Sequence, residues 1–131
     1  MPNINNMKIA VTIEKPEKSS PLSEVFGRCY YFLIYDQETK SEEILRNPFS
    51  SELGGAGIEC ARSLIENKVD VVIVKKIGIN PFRLLTSANI TVYQCNEATA
   101  SGSIRRFTEN KLLMIEKITE DLLPGRKRKR C

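Results

Sequence analysis

The sequence contains no histidine and no tryptophan. Without imidazole, Ser-His-Asp and Cys-His nucleophile systems, histidine-ligated zinc and the commonest acid–base catalyst are all excluded. Four cysteines are present, Cys29, Cys60, Cys95 and Cys131, and no two have the C-x-x-C spacing of a zinc or redox motif. In a reducing compartment such thiols read as free. No apolar run approaches the ~18 residues of a membrane span. The opening Met1 to Asn6 has neither the basic nor the apolar region of a secretory signal. The expected address is therefore cytoplasmic, with no membrane contact. Glycine is scarce, seven residues, and three of them fall in Gly54-Gly55-Ala56-Gly57. That stretch is neither G-x-G-x-x-G nor a P-loop, because no Gly-Lys-Ser/Thr follows it.

What remains is ordinary globular material. The chain has 131 residues and is 41% apolar, enough for one domain that folds without disulfides or metal. Lys and Arg total 20 against 16 Asp and Glu, a net charge of +4. Five of the cations are consecutive, Arg126-Lys127-Arg128-Lys129-Arg130, and without them the balance is 15 against 16. The basic character thus belongs to a tail. Such a run can meet nucleic acid or an anionic surface, or be a solvated end, since Pro124-Gly125 precedes it.

Period-2 patterning makes Lys8 to Ile13 a first strand with Ile9, Val11 and Ile13 on one face. Glu14 to Arg28 is a loop. Cys29 to Tyr35 reads as a central buried strand, joined by the polar turn Asp36 to Lys40 to an antiparallel strand over Ser41 to Arg46. The period then becomes helical: Ile58, Ala61, Leu64 and Ile65 share a face that opens at Gly54–Gly57 and closes near Lys68. Val69 to Val74 is a strand of the buried, parallel kind. Asn80-Pro81 starts a second helix, with Asn80 as its cap, and Ile90 to Cys95 is a last strand. Thr99 caps a third helix carrying Ala100, Ser103, Ile104 and Phe107. Leu112 to Leu123 fits a strand, a docking helix or part of each. The order β-β-β-α-β-α-β-α predicts an α/β fold, a sandwich around a mixed five-stranded sheet. Residues 7–115 form the domain, 1–6 an N-terminal extension and 116–131 a C-terminal extension with the basic tail.

If the first two strands are antiparallel and the last two parallel to the first, four loops converge at one sheet edge: 14–28, 53–57, 76–80 and 95–99. Open α/β sheets bind ligands at such carboxyl edges. Helix N-termini there, around Asn80 and Thr99, suit an anion. Gly55, Gly57 and Gly78 permit close backbone approach, and Arg28 and Lys76 add positive charge. Cys29 and Cys95 lie at this edge, with Cys60 a turn into the first helix. Thiolates favour iron–sulfur, molybdenum–sulfur or copper chemistry, whereas buried cysteines that ligate nothing serve as small hydrophobes.

Four segments in register resemble the dinitrogenase iron–molybdenum cofactor biosynthesis family, the NifX-like proteins and the carboxy-terminal domain of NifB. They are Ser20-Pro21-Leu22-Ser23 with Phe26-Gly27-Arg28, Tyr31-Phe32 and Asp36; Gly55-Ala56-Gly57-Ile58; Val69 to Ile73 with Ile77-Gly78, Phe82 and Leu85; and Thr99, Phe107 and Asn110-Lys111-Leu112. The resemblance implies a ribonuclease H-like fold, a three-layer α/β/α sandwich, without nuclease activity. It also implies a non-catalytic protein that transiently binds or carries iron–molybdenum cofactor, its precursor or a related metal–sulfur cluster between donor and acceptor proteins. Two positions where relatives carry histidine hold Val25 and Gly54 here, and Cys29 stands where alanine is common. A cluster would then be held by thiolates of Cys29, Cys60 and Cys95, or by Arg28, Gly55, Gly57, Gly78, Asn80 and Thr99 through side chains and backbone amides.

Two other classes compete. A two-metal hydrolase needs carboxylates that converge, and the available ones, Glu14 and Asp70, fall at opposite strand ends. An interaction or nucleic-acid adaptor would work through the basic tail.

Overall fold

The computed structural model describes residues 6–48, 56–96, 99–119 and 122–123. Six strands and three helices follow in the order β1 (Lys8–Ile13), β2 (Tyr31–Asp36), β3 (Ser41–Arg46), α1 (Ala56–Glu66), β4 (Val71–Val74), α2 (Ile79–Ser87), β5 (Thr91–Gln94), α3 (Ala100–Thr108) and β6 (Leu113–Met114). They form one mixed sheet ordered β3-β2-β1-β4-β5-β6. β1 is antiparallel to β2 and parallel to β4, and β4 is parallel to β5. The expected directions therefore hold.

The sheet has six strands rather than the expected five. The addition is β6, whose Leu113 and Met114 pair antiparallel with Gln94 and Tyr93. Two residues are too few for a periodic signal. Central placement also differs from expectation. β1 and β4 occupy the middle and are fully buried apart from Lys8, whereas β2 begins at Tyr31 and keeps Tyr31, Tyr35 and Asp36 half-buried. Cys29 and Tyr30 precede it. Edge strand β3 exposes Ser41, Glu42, Glu43 and Arg46, charges that discourage further strand addition. The β2–β3 turn is closed by Asp36, whose Oδ1 accepts the Glu38 amide at 3.0 Å, with Lys40 at φ +60°.

Alternation divides the core into two halves. Ala10, Phe32, Ile34, Val72, Val74 and Val92 face α1 and α2, meeting Cys60, Leu64, Phe82 and Leu85. Ile9, Val11, Ile13, Leu33, Val71 and Ile73 face α3, meeting Ala100, Ile104 and Phe107. This is the α/β/α layering expected. After β6 the chain passes to the α1/α2 face. Ile115 and Leu122 are buried there, with Ile118 packed beside them. Among the described residues, no helix is long and apolar enough to cross a membrane.

Candidate functional site

The loops at the carboxyl edge are fastened to one another by backbone hydrogen bonds. Loop 14–30 folds back on β1: Ser23 N–H donates to Thr12 O at 2.9 Å, and Leu22 bridges Ile13. Buried Ser20 is the hub. Its hydroxyl accepts the Glu14 and Lys15 amides at 3.1 and 2.9 Å and donates to Pro21 O at 2.8 Å. Phe26 N–H donates to Lys76 O at 2.9 Å, so the loops carrying Arg28 and Lys76 are joined. Convergence is thus a built feature of the edge.

The helix N-termini differ in what they leave open. At α3, Thr99 is the cap and accepts the Gly102 amide at 3.1 Å. Ala100 N–H donates to Ser20 O and Ser101 N–H to Lys18 O, at 2.9 and 3.0 Å. The first turn of α3 is therefore spent on holding loop 14–30, and Thr99 serves that joint. At α1, a Cβ on Gly57 would lie 2.9 Å from Pro81 Cγ, and one on Gly27 would lie 2.8 Å from Gly57 Cα. Gly57 is required for packing between α1, α2 and the Gly27 backbone, and that space is not open to a ligand. Gly55, with Gly54, lies outside the described residues.

At α2 the terminus is open among the described residues. Its cap is Gly78, which has no side chain to satisfy the first turn. Asn80, expected as the cap, is instead the second helical residue and exposed. Pro81 still falls within the first turn, where an amide would have no intrahelical acceptor anyway, so the helix begins two residues before it. Among the described residues no acceptor meets the Ile79 and Asn80 amides. Exposed Arg28 stands on the joined neighbouring loop.

The three cysteines do not converge. Cys29 and Cys60 are buried on the α1/α2 face, and Cys95 is buried on the α3 face. The sheet lies between them. Cys29 and Cys60 instead flank Asn47, which is 2% exposed. The Cys60 thiol donates to Asn47 Oδ1 at 3.2 Å, and Asn47 Nδ2 donates to Cys29 O at 2.7 Å and Gly27 O at 3.2 Å. Burial pushes the Cys60 thiol up to about 12. It raises Cys29 further, helped by proximity to Cys60. Both are thiols at neutral pH, whereas a metal requires the thiolate. Among the described residues no group of three or more cysteine or carboxylate side chains is placed to hold a metal.

Sequence reading missed Asn47, Gly27 and two buried hydroxyls. Asn47-Pro48 carries a turn signal, but its amide's partners are distant in sequence. Gly27 sits at φ +98°. Thr12 Oγ1 and Ser23 Oγ, at the end of β1, are buried without a hydrogen-bond partner. Thr12 was legible as the single polar residue in an otherwise apolar strand interior. At the opposite sheet edge, a groove of about 820 Å³ lined by Met7, Asp70, Thr86, Ile90 and Met114 contains none of the expected site residues.

Comparison with known proteins adds three findings. A family model described as dinitrogenase iron–molybdenum cofactor matches residues 7–110. An uncharacterised protein of Methanocaldococcus jannaschii is 32% identical over 113 residues, covering 84% of this chain and 92% of its own. Among solved structures, the apo form of the orange protein from Desulfovibrio gigas superposes with a TM-score of 0.81 at 28% identity, covering 86% of this chain and 95% of that one. A putative NifB protein from Thermotoga gives 0.78 at 29% identity, with 86% and 97% coverage.

Proposed function

The chain belongs to the dinitrogenase iron–molybdenum cofactor family, and from that premise we propose that it is a non-catalytic carrier of an anionic metal–sulfur cluster. The cargo is iron–molybdenum cofactor, its precursor or a related molybdenum–sulfur or iron–sulfur cluster, taken from a donor protein and released to an acceptor. It is held as a whole anion at the open N-terminus of α2, by the Ile79 and Asn80 amides next to Gly78, with Arg28 supplying positive charge. The observation that carries this reading is the contrast among helix termini: α3 is closed by Ser20 and Lys18 carbonyls, Gly57 of α1 is covered by Gly27, and α2 is open. Backbone amides and the helix dipole hold anions without metal ligation, which suits a protein that must give its cargo up.

The same reading takes the fold as ribonuclease H-like without a nuclease centre. Glu14 follows β1 and Asp70 precedes β4, opposite ends of parallel neighbours, and Asp70 Oδ2 already accepts the Lys8 amide at 2.9 Å. A pair of metals ~4 Å apart has no pair of carboxylates there.

Anaerobic titration of the full chain with tetrathiomolybdate, followed in the visible spectrum, tests the assignment. Saturable binding is expected, weakened about tenfold by Arg28→Gln, a loss of ~1.4 kcal/mol, and unchanged by Cys95→Ser. Absence of saturable binding rejects the carrier site. Loss of binding in Cys95→Ser with retention in Arg28→Gln would return ligation to the thiolates.

A further inference from the structure

The basic run Arg126 to Arg130 lies outside the described residues. Within them, two buried polar side chains stand without a use, Thr12 and Ser23. They are 0% and 1% exposed, and neither hydroxyl has a hydrogen-bond partner. A buried hydroxyl left unmatched gives up its water contacts for nothing, and native interiors hold few such groups. Here two fall together, because Ser23 N–H donates to Thr12 O at 2.9 Å.

Sheet parity says where they point. Ile9, Val11 and Ile13 pack towards α3, and Ala10 packs towards α1 and α2. Thr12 alternates with Ile13 and so turns to the α1/α2 side. Its neighbour on β2 is Phe32, and on β4 the pairing of Val11 with Ile73 carries it level with Val74. Phe32 and Val74 both belong to the apolar α1/α2 core, so neither side chain offers the hydroxyl a partner. Ser23 follows Leu22, which packs towards α3, and precedes Phe26, which packs towards α1 and α2. The segment between them crosses the end of β1 from one face to the other. Phe26 N–H then donates to Lys76 O at 2.9 Å, on the connection that leads to the Gly78 cap of α2. The two hydroxyls therefore lie at the carboxyl end of β1, on the side of the sheet that carries α2.

From this placement we infer that Thr12 and Ser23 are the inner wall of the anion site, a pair of hydroxyl donors for one terminal oxo or sulfido atom of the cargo. The inference rests on the carrier reading. It extends the donor set from the Ile79 and Asn80 amides to two side chains that the empty protein leaves unmatched. Loop 14–30 covers both hydroxyls, so the incoming atom reaches them as that loop shifts. The stretch that can yield lies between the Ser23–Thr12 and Phe26–Lys76 bonds. There Glu24 is exposed and Val25 half-buried, and among the described residues neither amide meets an acceptor. A hydroxyl donates to an anion without bearing a charge or forming a metal–ligand bond, in keeping with a cargo that is given up whole. The consequence is a split between stability and affinity. In the empty protein an unmatched hydroxyl is a cost that an apolar isostere removes. In the loaded protein the same hydroxyl is a donor that the isostere lacks.

The test uses the full chain with Thr12→Val or Ser23→Ala, and Thr12→Ser as the variant that keeps a donor. Each is melted thermally without ligand and titrated anaerobically with tetrathiomolybdate. Melting temperatures equal to or above the native value are expected for Thr12→Val and Ser23→Ala, with affinities about tenfold below native. Thr12→Ser should keep native affinity. Melting temperatures lowered by several degrees in Thr12→Val and Ser23→Ala would mean that the hydroxyls already serve a structural partner such as a buried water, and would overturn the inference. Native affinity in both variants overturns it too, and leaves the carrier site at α2 standing. Absence of saturable binding by the native chain overturns the carrier site and its inner wall together.

Discussion

Asn47 shows how one buried amide can tie two cysteines into the same corner of the core. It holds the Cys29 and Gly27 carbonyls and takes the Cys60 proton as a hydrogen bond. Burial, against the pull of this amide, keeps both as thiols at neutral pH. The pH dependence follows from the sign of the shift. Each thiol ionises near 9.0 in the unfolded chain and higher when folded, Cys60 at about 12. The unfolded state therefore releases protons first, so stability is whole below pH 9 and falls as pH rises from about 9 towards 12. Urea midpoints at pH 8 and pH 10 check this, with the drop expected to shrink in Cys60→Ala relative to its own value at pH 8. Gly27 is the second decisive residue. Its φ of +98° is strained for a side chain, and a Cβ would meet the Gly57 backbone at 2.8 Å, with no flexible atom to yield. Gly27→Ala is expected to cost about 2–3 kcal/mol, read as a lowered denaturant midpoint.

Among the helices, what matters is which amides each N-terminus has already committed. The three are similar in length, 11, 9 and 9 residues, and each begins at the carboxyl edge. Among the described residues, the first-turn amides of α3 meet the Ser20 and Lys18 carbonyls, whereas those of Ile79 and Asn80 in α2 meet none. Thr99→Ala removes the acceptor of Gly102 N–H and should cost ~1 kcal/mol of stability, with tetrathiomolybdate affinity unchanged. Arg28→Gln should show the reverse emphasis, with affinity lowered more than stability. Thermal melts and titrations on the same two preparations separate a joint from a binding group. If Thr99→Ala weakened the anion as much as Arg28→Gln does, the division of labour among the termini would be wrong.

For the molecule as a whole, the strap after β6 ties the end of the described chain to the core. Leu122 fills the α1/α2 core, Ile118 packs beside it, and the Leu122 carbonyl holds the loop before Gly78. A chain ending at Lys117 loses these contacts and exposes the Ile77 amide. The expected loss is about 2–4 kcal/mol, on the scale of one fully buried aliphatic side chain plus a second, partly buried one, seen as a lower urea midpoint. Anion affinity should fall as well, because the α2 cap loses its neighbour. A truncation at Lys117 with native stability would mean that the strap is ornamental.

The order of elements, their strand or helix character and the directions of the β1, β2, β4 and β5 pairings were legible in the chain alone. Hydrophobic period is a local property: Val71 to Val74 is apolar at every position because both sheet faces are covered, and Ile58, Ala61, Leu64 and Ile65 repeat at helical spacing. The convergence of loops at one edge followed from those directions, and the family was legible in the four motif segments that resemble it. The use of each polar group did not follow. Whether an amide at a helix start is open depends on which carbonyl 80 residues away reaches it, as Ser20 reaches Ala100. Whether three cysteines at one edge share a face depends on sheet parity and on where a strand begins, and β2 begins two residues after Cys29. Where the chain comes to rest after β6 depends on long-range packing, and Leu122 settles into the α1/α2 core. Local periodicity fixes elements because each residue contributes independently to it; which polar groups stay open at this edge was decided by single long-range hydrogen bonds, which leave no period in the sequence.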